Sequence, residues 1–191
     1  MLNYQFERLT ESAPIFITKL PREINKEISV WERECKKIKN HPLSELKSHE
    51  NVGYSSNSKK FNSYQCGVPI QLIENSFWLS YTLRLTSKLF GSDHRSYYLR
   101  KWDGHFDGYD IWANFAYKGD QNPTHNHAGI ISGVIYHKNH NHPTIFPEYS
   151  TMYPGKNGTM ILFPSNVLHY VEPQKSWRER ITFAFNINLK Q

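Results

Sequence analysis

The residues of this sequence best suited to chemistry are histidines. Six of the ten fall between residues 105 and 142, and His125 and His127 stand two apart in NPTHNHAG. Residues i and i+2 of extended backbone project to the same side, so these two imidazoles can converge on one metal ion. Imidazole suits Zn, Fe, Cu or Ni. An isolated HxH pair is a weak signal that surface histidines also produce. It gains weight from a third histidine, His169 in LFPSNVLHYVEP, followed by Arg180 and Thr182 in RERITFAFNIN.

Those side chains need elements to hold them. The spacing of Ile24, Ile28, Trp31, Cys35 and Ile38 predicts an amphipathic helix over 22–39, and a second is expected over 70–90, closed by Gly91. Trp31, Phe77 and Trp78 sit on these helices as core residues. A long polar connection separates the two. Beyond Gly91 the texture changes to short aromatic and β-branched runs, YDIWANFAY, GIISGVIYH, PTIFPEY, GTMILFP, HYVEP and RITFAFNINL, broken by turn residues. The expectation is an α+β chain in one domain spanning 1–191. Helical support over 1–92 would back an antiparallel sandwich or barrel over 93–191.

The last strand has two distinct faces. Ile181, Phe183, Phe185, Ile187 and Leu189 form an apolar row, while Arg180, Thr182, Ala184, Asn186 and Asn188 form a row more polar than a core face. The run at 130–136 does the same with Ser132 and Tyr136. Such faces suit a ligand cavity, with Asn114, Ser132 and Asn186 as candidate lining residues.

The run from Trp112 to Asn188, with GDQNPTHNHAGIISGVIY, YPGKNGTMILFPSNVLHYVEP and RERITFAFNIN, resembles a family of 2-oxoglutarate/iron(II)-dependent oxygenases common in marine bacteria and in tailed phages of cyanobacteria. It is similar in outline to the prolyl hydroxylases of the same superfamily. The resemblance implies a double-stranded β-helix, or jelly roll, in agreement with the strand reading. It implies a dioxygenase that uses Fe(II), 2-oxoglutarate and O2, coupling decarboxylation of 2-oxoglutarate to succinate with hydroxylation of a substrate. By the same resemblance His125 takes the first metal position, His127 the position usually held by a carboxylate, and His169 the distal position. Arg180 and Thr182 fall where an RxS motif anchors the far carboxylate of 2-oxoglutarate, and Tyr136 falls where a tyrosine assists it.

His127 departs from the family pattern. Two histidines and a carboxylate leave +1 on an Fe(II) site, whereas three neutral histidines leave +2. Three readings follow: direct ligation by His127, displacement of His127 by water or an anion, or a site that has lost iron chemistry. Two other function classes stay open, a three-histidine cupin-like dioxygenase without 2-oxoglutarate and a non-catalytic jelly-roll binding protein. Arg180 with Thr182 argues against the first, which has no use for them.

The remaining signals are assigned more plainly. His137, His140 and His142 in YHKNHNHP read as a solvated turn, and Asp120 as a residue that could orient an imidazole. Trp102, His105, Phe106 and Asp107 read as a rim loop. No nucleophile elbow, phosphate loop or dinucleotide fingerprint is present.

Composition bounds the partners. The formal net charge of +6 divides evenly, +3 in residues 1–60 and +3 in 61–191, so no basic arm marks a nucleic-acid binder. A protein side chain or small metabolite is the favoured substrate. No apolar run approaches the length of a membrane span, and the opening residues carry no apolar signal core. With Cys35 and Cys66 far apart in sequence, the expectation is a cytoplasmic protein with no membrane association. A homo-oligomer formed through the helices is open.

Overall fold

The computed structural model describes residues 4–40, 63–101 and 108–190. His41, His49, most of the polar connection and the stretch with Trp102, His105, Phe106 and Asp107 lie outside them.

The chain opens with a hairpin, β1 (Phe6–Thr10) and β2 (Ala13–Lys19), followed by α1 (Arg22–Lys39). Strand β3 (Tyr64–Gly67) precedes α2 (Ile70–Glu74) and α3 (Phe77–Phe90). Then come β4 (Tyr97–Leu99), β5 (Ile111–Ala116), β6 (Asn122–His125), β7 (Ile131–Lys138) and β8 (Thr144–Phe146). The last strands are β9 (Thr151–Tyr153), β10 (Thr159–Pro164), β11 (His169–Val171) and β12 (Arg180–Leu189). A main antiparallel sheet runs β1-β2-β10-β7-β12-β5-β3, with β4 added to β12, and faces a smaller sheet ordered β6-β11-β8-β9. This is the antiparallel sandwich that the strand pattern predicts, in the jelly-roll form that the resemblance implies.

Two expectations are corrected. The N-terminal part is not purely helical, because β1, β2 and β3 extend the main sheet at both margins. The alternation in APIFITK was the available signal: Ala13, Ile15 and Ile17 are buried toward the smaller sheet. The single helix expected over 70–90 is broken at Asn75 and Ser76. Ser76 caps α3 by accepting from the Leu79 N–H at 3.1 Å, and the Glu27 carboxylate of α1 accepts from Phe77 and Trp78 at 2.8 and 3.0 Å. A helix N-terminus has unpaired N–H groups, and a carboxylate there satisfies both their hydrogen bonds and the helix dipole.

The two faces of β12 divide the core. Ile181, Phe183, Phe185 and Ile187 meet the helices through Trp31 and Trp78, whose rings stand edge-on to each other at 5.2 Å and to Phe183 and Phe185 at 5.7 and 5.0 Å. Ala184, with Val134, Tyr136, Phe146, Ile161 and Phe163, lies in the cluster between the sheets. Gly133 is the contact point on β7, since a Cβ there would lie 2.2 Å from Phe185 Cζ. With Trp78 behind it that ring has nowhere to go.

One ion cluster ties α1 to the barrel. Glu32, 8% exposed, accepts from Lys36 at 2.8 Å, Lys138 at 2.6 Å and His137 at 2.7 Å. Burial would raise its pKa, but the bonds from Lys138, Lys36 and His137 outweigh it and hold the carboxyl down at about 2. His137 itself is pushed below its ordinary value, burial prevailing over Glu32, so at neutral pH it donates as a neutral imidazole.

Two outcomes follow. Gly133→Ala should destabilise the fold by about 2 kcal/mol in urea denaturation, the cost of overpacking a filled core. Glu32 has a folded pKa below its unfolded value of 4.5, so its contribution is present above pH 4.5 and lost as pH falls toward 2. Glu32→Gln should therefore cost about 2 kcal/mol at pH 7. Urea midpoints taken between pH 7 and pH 3 should converge with those of the parent.

Candidate metal and anion site

The three histidines converge: His125 and His127 as their spacing predicts, and His169 as the resemblance implies. His125 ends β6 and pairs in register with His169 of β11 in the smaller sheet, so their side chains share one face. His127 lies just past the strand, where the turn is pinned. Its N–H donates to Ser165 O at 2.9 Å, Ser165 N–H donates to Ile130 O at 3.0 Å, and Ile130 N–H donates to Ile187 O at 2.9 Å. Gly129 makes this return possible, with φ +131° and the Asn186 and Ser165 side chains 3.3 Å from any added Cβ. The ligating atoms of His125, His127 and His169 all lie within 4.8 Å of one another.

Their second nitrogens are fixed by the backbone. His125 Nδ1 donates to Pro123 O at 2.7 Å and His169 Nδ1 to Val167 O at 3.1 Å, which leaves both Nε2 lone pairs inward. His127 Nε2 approaches His169 Nε2 to 3.2 Å. Burial depresses all three pKa values, that of His169 to about 3, with the neighbouring histidines adding to the effect on His127 and His169. The site therefore presents three neutral imidazoles at neutral pH, the form that binds a metal. His127 Nε2 faces the His169 Nε2 lone pair, and with the inward lone pair of His125 this set of three imidazoles fits a divalent ion. His125 and His127 are half-buried, which leaves one side of the cluster open. Trp112 lies 5.6 Å from the His127 ring, and Phe163 stands edge-on to His169 at 4.9 Å.

The inner face of the main sheet carries the second half of the site. Thr182 of β12 lies in register with Asn114 of β5 and with Tyr136 of β7, so these three side chains line one level of the interior. One level further along β12 is Arg180, 4% exposed. Burial lowers its pKa to about 10 and Tyr136 opposes the shift, so it remains charged. Its Nε has no partner among the described residues. The adjacent acid, Glu179, is occupied elsewhere by Lys36 and Lys39 of α1 at 3.0 and 2.6 Å. Tyr136 is fully buried and its hydroxyl shares a 2.7 Å hydrogen bond with Thr144, a residue the sequence reading passed over. Alternation in PTIF, which turns Thr144 and Phe146 inward, was the signal for it. The buried amide of Asn114 has an Oδ1 without a partner among the described residues.

Ser132 and Asn186 are differently placed. Ser132 Oγ donates to Asn186 Oδ1 at 2.7 Å and bonds Ser165 Oγ at 2.7 Å, while Asn186 Nδ2 donates to Asp110 at 2.7 Å. Their polar atoms join the turn bearing His127 to β12. Asp120 does not orient an imidazole; it accepts from Tyr117 N–H at 2.8 Å, and backbone carbonyls do that work for His125 and His169. The HKNHNH turn is not solvated throughout, because Asn139 and His142 are buried and His137 meets Glu32. That turn lies against the charged start of β12, a long-range contact that its polar composition does not reveal.

Comparisons with known proteins bear on the fold and on one segment of the chain. Residues 138–186, about a quarter of the chain, match the model of a family described as "Putative 2OG-Fe(II) oxygenase". The matched segment includes His169, Arg180 and Thr182. Among curated proteins no sequence match was found. The viral collagen prolyl hydroxylase of Paramecium bursaria Chlorella virus-1 superposes with a TM-score of 0.56 at 15% identity, over 92% of this chain and 96% of that one. A prolyl-4-hydroxylase of Pseudomonas putida gives 0.54 at 11% identity over 94% of each chain. NgTET1 in complex with 5mC DNA gives 0.50 at 14% identity, over 93% of this chain and 72% of that one. At these identities the likeness establishes the fold, the double-stranded β-helix of 2-oxoglutarate oxygenases.

Metal titration checks the cluster. His127→Ala should weaken Mn(II) binding, measured by calorimetry, by at least about tenfold, the loss expected when metal coordination is disturbed. Unchanged affinity would remove His127 from the ligand set.

Proposed function

We propose that this chain works as the family matched by its residues 138–186 works, as an iron(II)- and 2-oxoglutarate-dependent oxygenase that hydroxylates a substrate. The observation that carries this reading is Arg180, a buried cation without a carboxylate partner among the described residues, in the same barrel as three converging neutral imidazoles. A buried guanidinium demands a negative partner, and its planar fork suits a carboxylate.

In this reading His125, His127 and His169 hold the metal, and Arg180 receives the far carboxylate of 2-oxoglutarate. Thr182 and the Tyr136–Thr144 hydroxyl pair offer hydrogen bonds beside it, and Asn114 lines the same level. When bound, Fe(II) would supply O2 activation, coupling oxidative decarboxylation of 2-oxoglutarate to hydroxylation. The chain's own part is to fix the ligand nitrogens through Pro123 O and Val167 O. The aromatic walls of Trp112, Phe146 and Phe163 keep water from one flank of the cluster. With three neutral ligands the dianionic cosubstrate supplies the negative charge that a protein carboxylate supplies in the usual triad.

The substrate reading is a protein side chain or a small metabolite, supported by the absence of a basic arm in the sequence and by prolyl hydroxylases among the structural neighbours. The DNA-bound neighbour makes nucleic acid the alternative to test. No helix of the described residues is long and apolar enough to cross a membrane. Two free buried cysteines fit a reducing cytoplasm.

The test is succinate formation from 2-oxoglutarate with Fe(II) under air, paired with binding. Arg180→Ala should lower 2-oxoglutarate affinity by about tenfold or more while Mn(II) affinity stays within about twofold, the loss expected for a charged hydrogen-bonding pair. A parent protein that binds Mn(II) but not 2-oxoglutarate would favour the three-histidine cupin-like reading, for which the all-histidine donor set argues.

A further inference from the structure

We propose that His142 is a second donor to the carboxylate that Arg180 receives, and so sets the preference for a dicarboxylate cosubstrate. The inference rests on the functional reading above.

The turn that carries His142 is tightly built. His142 N–H donates to Asn139 O at 3.2 Å, and His140 and Asn141 between them have φ +53° and +62°. Two central residues with positive φ make a tight turn that carries the chain from the main sheet to the smaller one, and asparagine tolerates that region. Asn139 is fully buried, and its Nδ2 donates to the carbonyls of His142, Pro154 and Gly155 at 2.7, 2.9 and 3.0 Å. His140 Nε2 donates to Glu179 O at 3.1 Å, tying the turn to the residue before Arg180. Burial then alternates through His142, Thr144 and Phe146, which turns the imidazole inward beside the Tyr136–Thr144 pair.

The proton on His142 is placed by its neighbour. Lys175 N–H donates to His142 Nε2 at 3.3 Å, so the neutral ring carries its hydrogen on Nδ1. Burial and the Arg180 guanidinium hold its pKa below the ordinary value, which keeps that neutral form. His142 is 8% exposed, and its Nδ1 has no partner among the described residues. Arg180 Nε–H is likewise buried and without one. Two donors cannot satisfy each other. Unpaired buried donors are costly, and a carboxylate brings two acceptor oxygens and the charge that Arg180 lacks. A methyl group at the same place would leave both donors unpaired.

The experiment measures binding rather than turnover. The full chain loaded with Mn(II) is titrated with 2-oxoglutarate and with 2-oxopentanoate, which has a methyl where the far carboxylate stands. His142→Gln can keep an acceptor for Lys175 N–H but offers no donor at the Nδ1 position, whereas His142→Asn places an amide N–H near Nδ1. The Gln variant should bind 2-oxoglutarate about tenfold more weakly than the parent with 2-oxopentanoate unaffected, and the Asn variant should recover to within about threefold. Equal 2-oxoglutarate affinity in parent and Gln variant, or equal losses for both ligands, would overturn the role of His142. A parent protein that does not prefer 2-oxoglutarate over 2-oxopentanoate would overturn the reading of Arg180 itself, and the two failures are distinct.

Discussion

Strand β12 has to serve two environments at once, and the rest of the structure is arranged around that demand. Because side chains alternate, the row Ile181, Phe183, Phe185 and Ile187 faces the helices while Arg180, Thr182, Ala184 and Asn186 face the interior. A one-residue slip would put a guanidinium into the tryptophan cluster and phenylalanines into the cavity. Register is secured by three pairings, with β7, β5 and β4. The tight fit of Gly133 under the Phe185 ring fixes the β7 pairing sterically as well.

Charge is separated along the same line. Glu179 alternates away from Arg180 and is neutralised by Lys36 and Lys39, the latter also 4.7 Å from the centre of the Phe115 ring. The acid next in sequence to the buried arginine is thereby taken out of its reach, and Glu32 is similarly surrounded by Lys36, Lys138 and His137. Helix α1 thus packs the outer face and, through Lys36 and Lys39, also engages the carboxylate next to the interior cation. The interior is left electropositive at Arg180 and rich in lone pairs at the histidines, an arrangement complementary to a metal joined to a dianion.

The HKNHNH turn shows how composition can mislead. Its asparagines and histidines read as a solvated loop, yet Asn139 is fully buried because one amide closes three backbone carbonyls. His142 is buried because that turn aims it inward. Backbone hydrogen bonds of this kind carry polar side chains inward, and hydrophobicity alone cannot report that. The same limit explains the break at Ser76, where an apolar period continues but a hydroxyl and a carboxylate from α1 compete for the backbone.

Local pattern determined a good deal by itself. The period of α1 and the two faces of β12 and β7 are properties of consecutive residues. They follow from backbone geometry alone, and the structure repeats them. The N-terminal hairpin was legible in the alternation of APIFITK, although its place beside β10 was not. Only the tertiary structure decided which distant groups meet. It brought His169 to His125 across a β6–β11 pairing, put Thr144 against Tyr136, and set His142 against the Lys175 backbone. Those contacts depend on strand register and on the closure of two sheets, which are set by the whole chain's burial and hydrogen bonding rather than by the residues near each site.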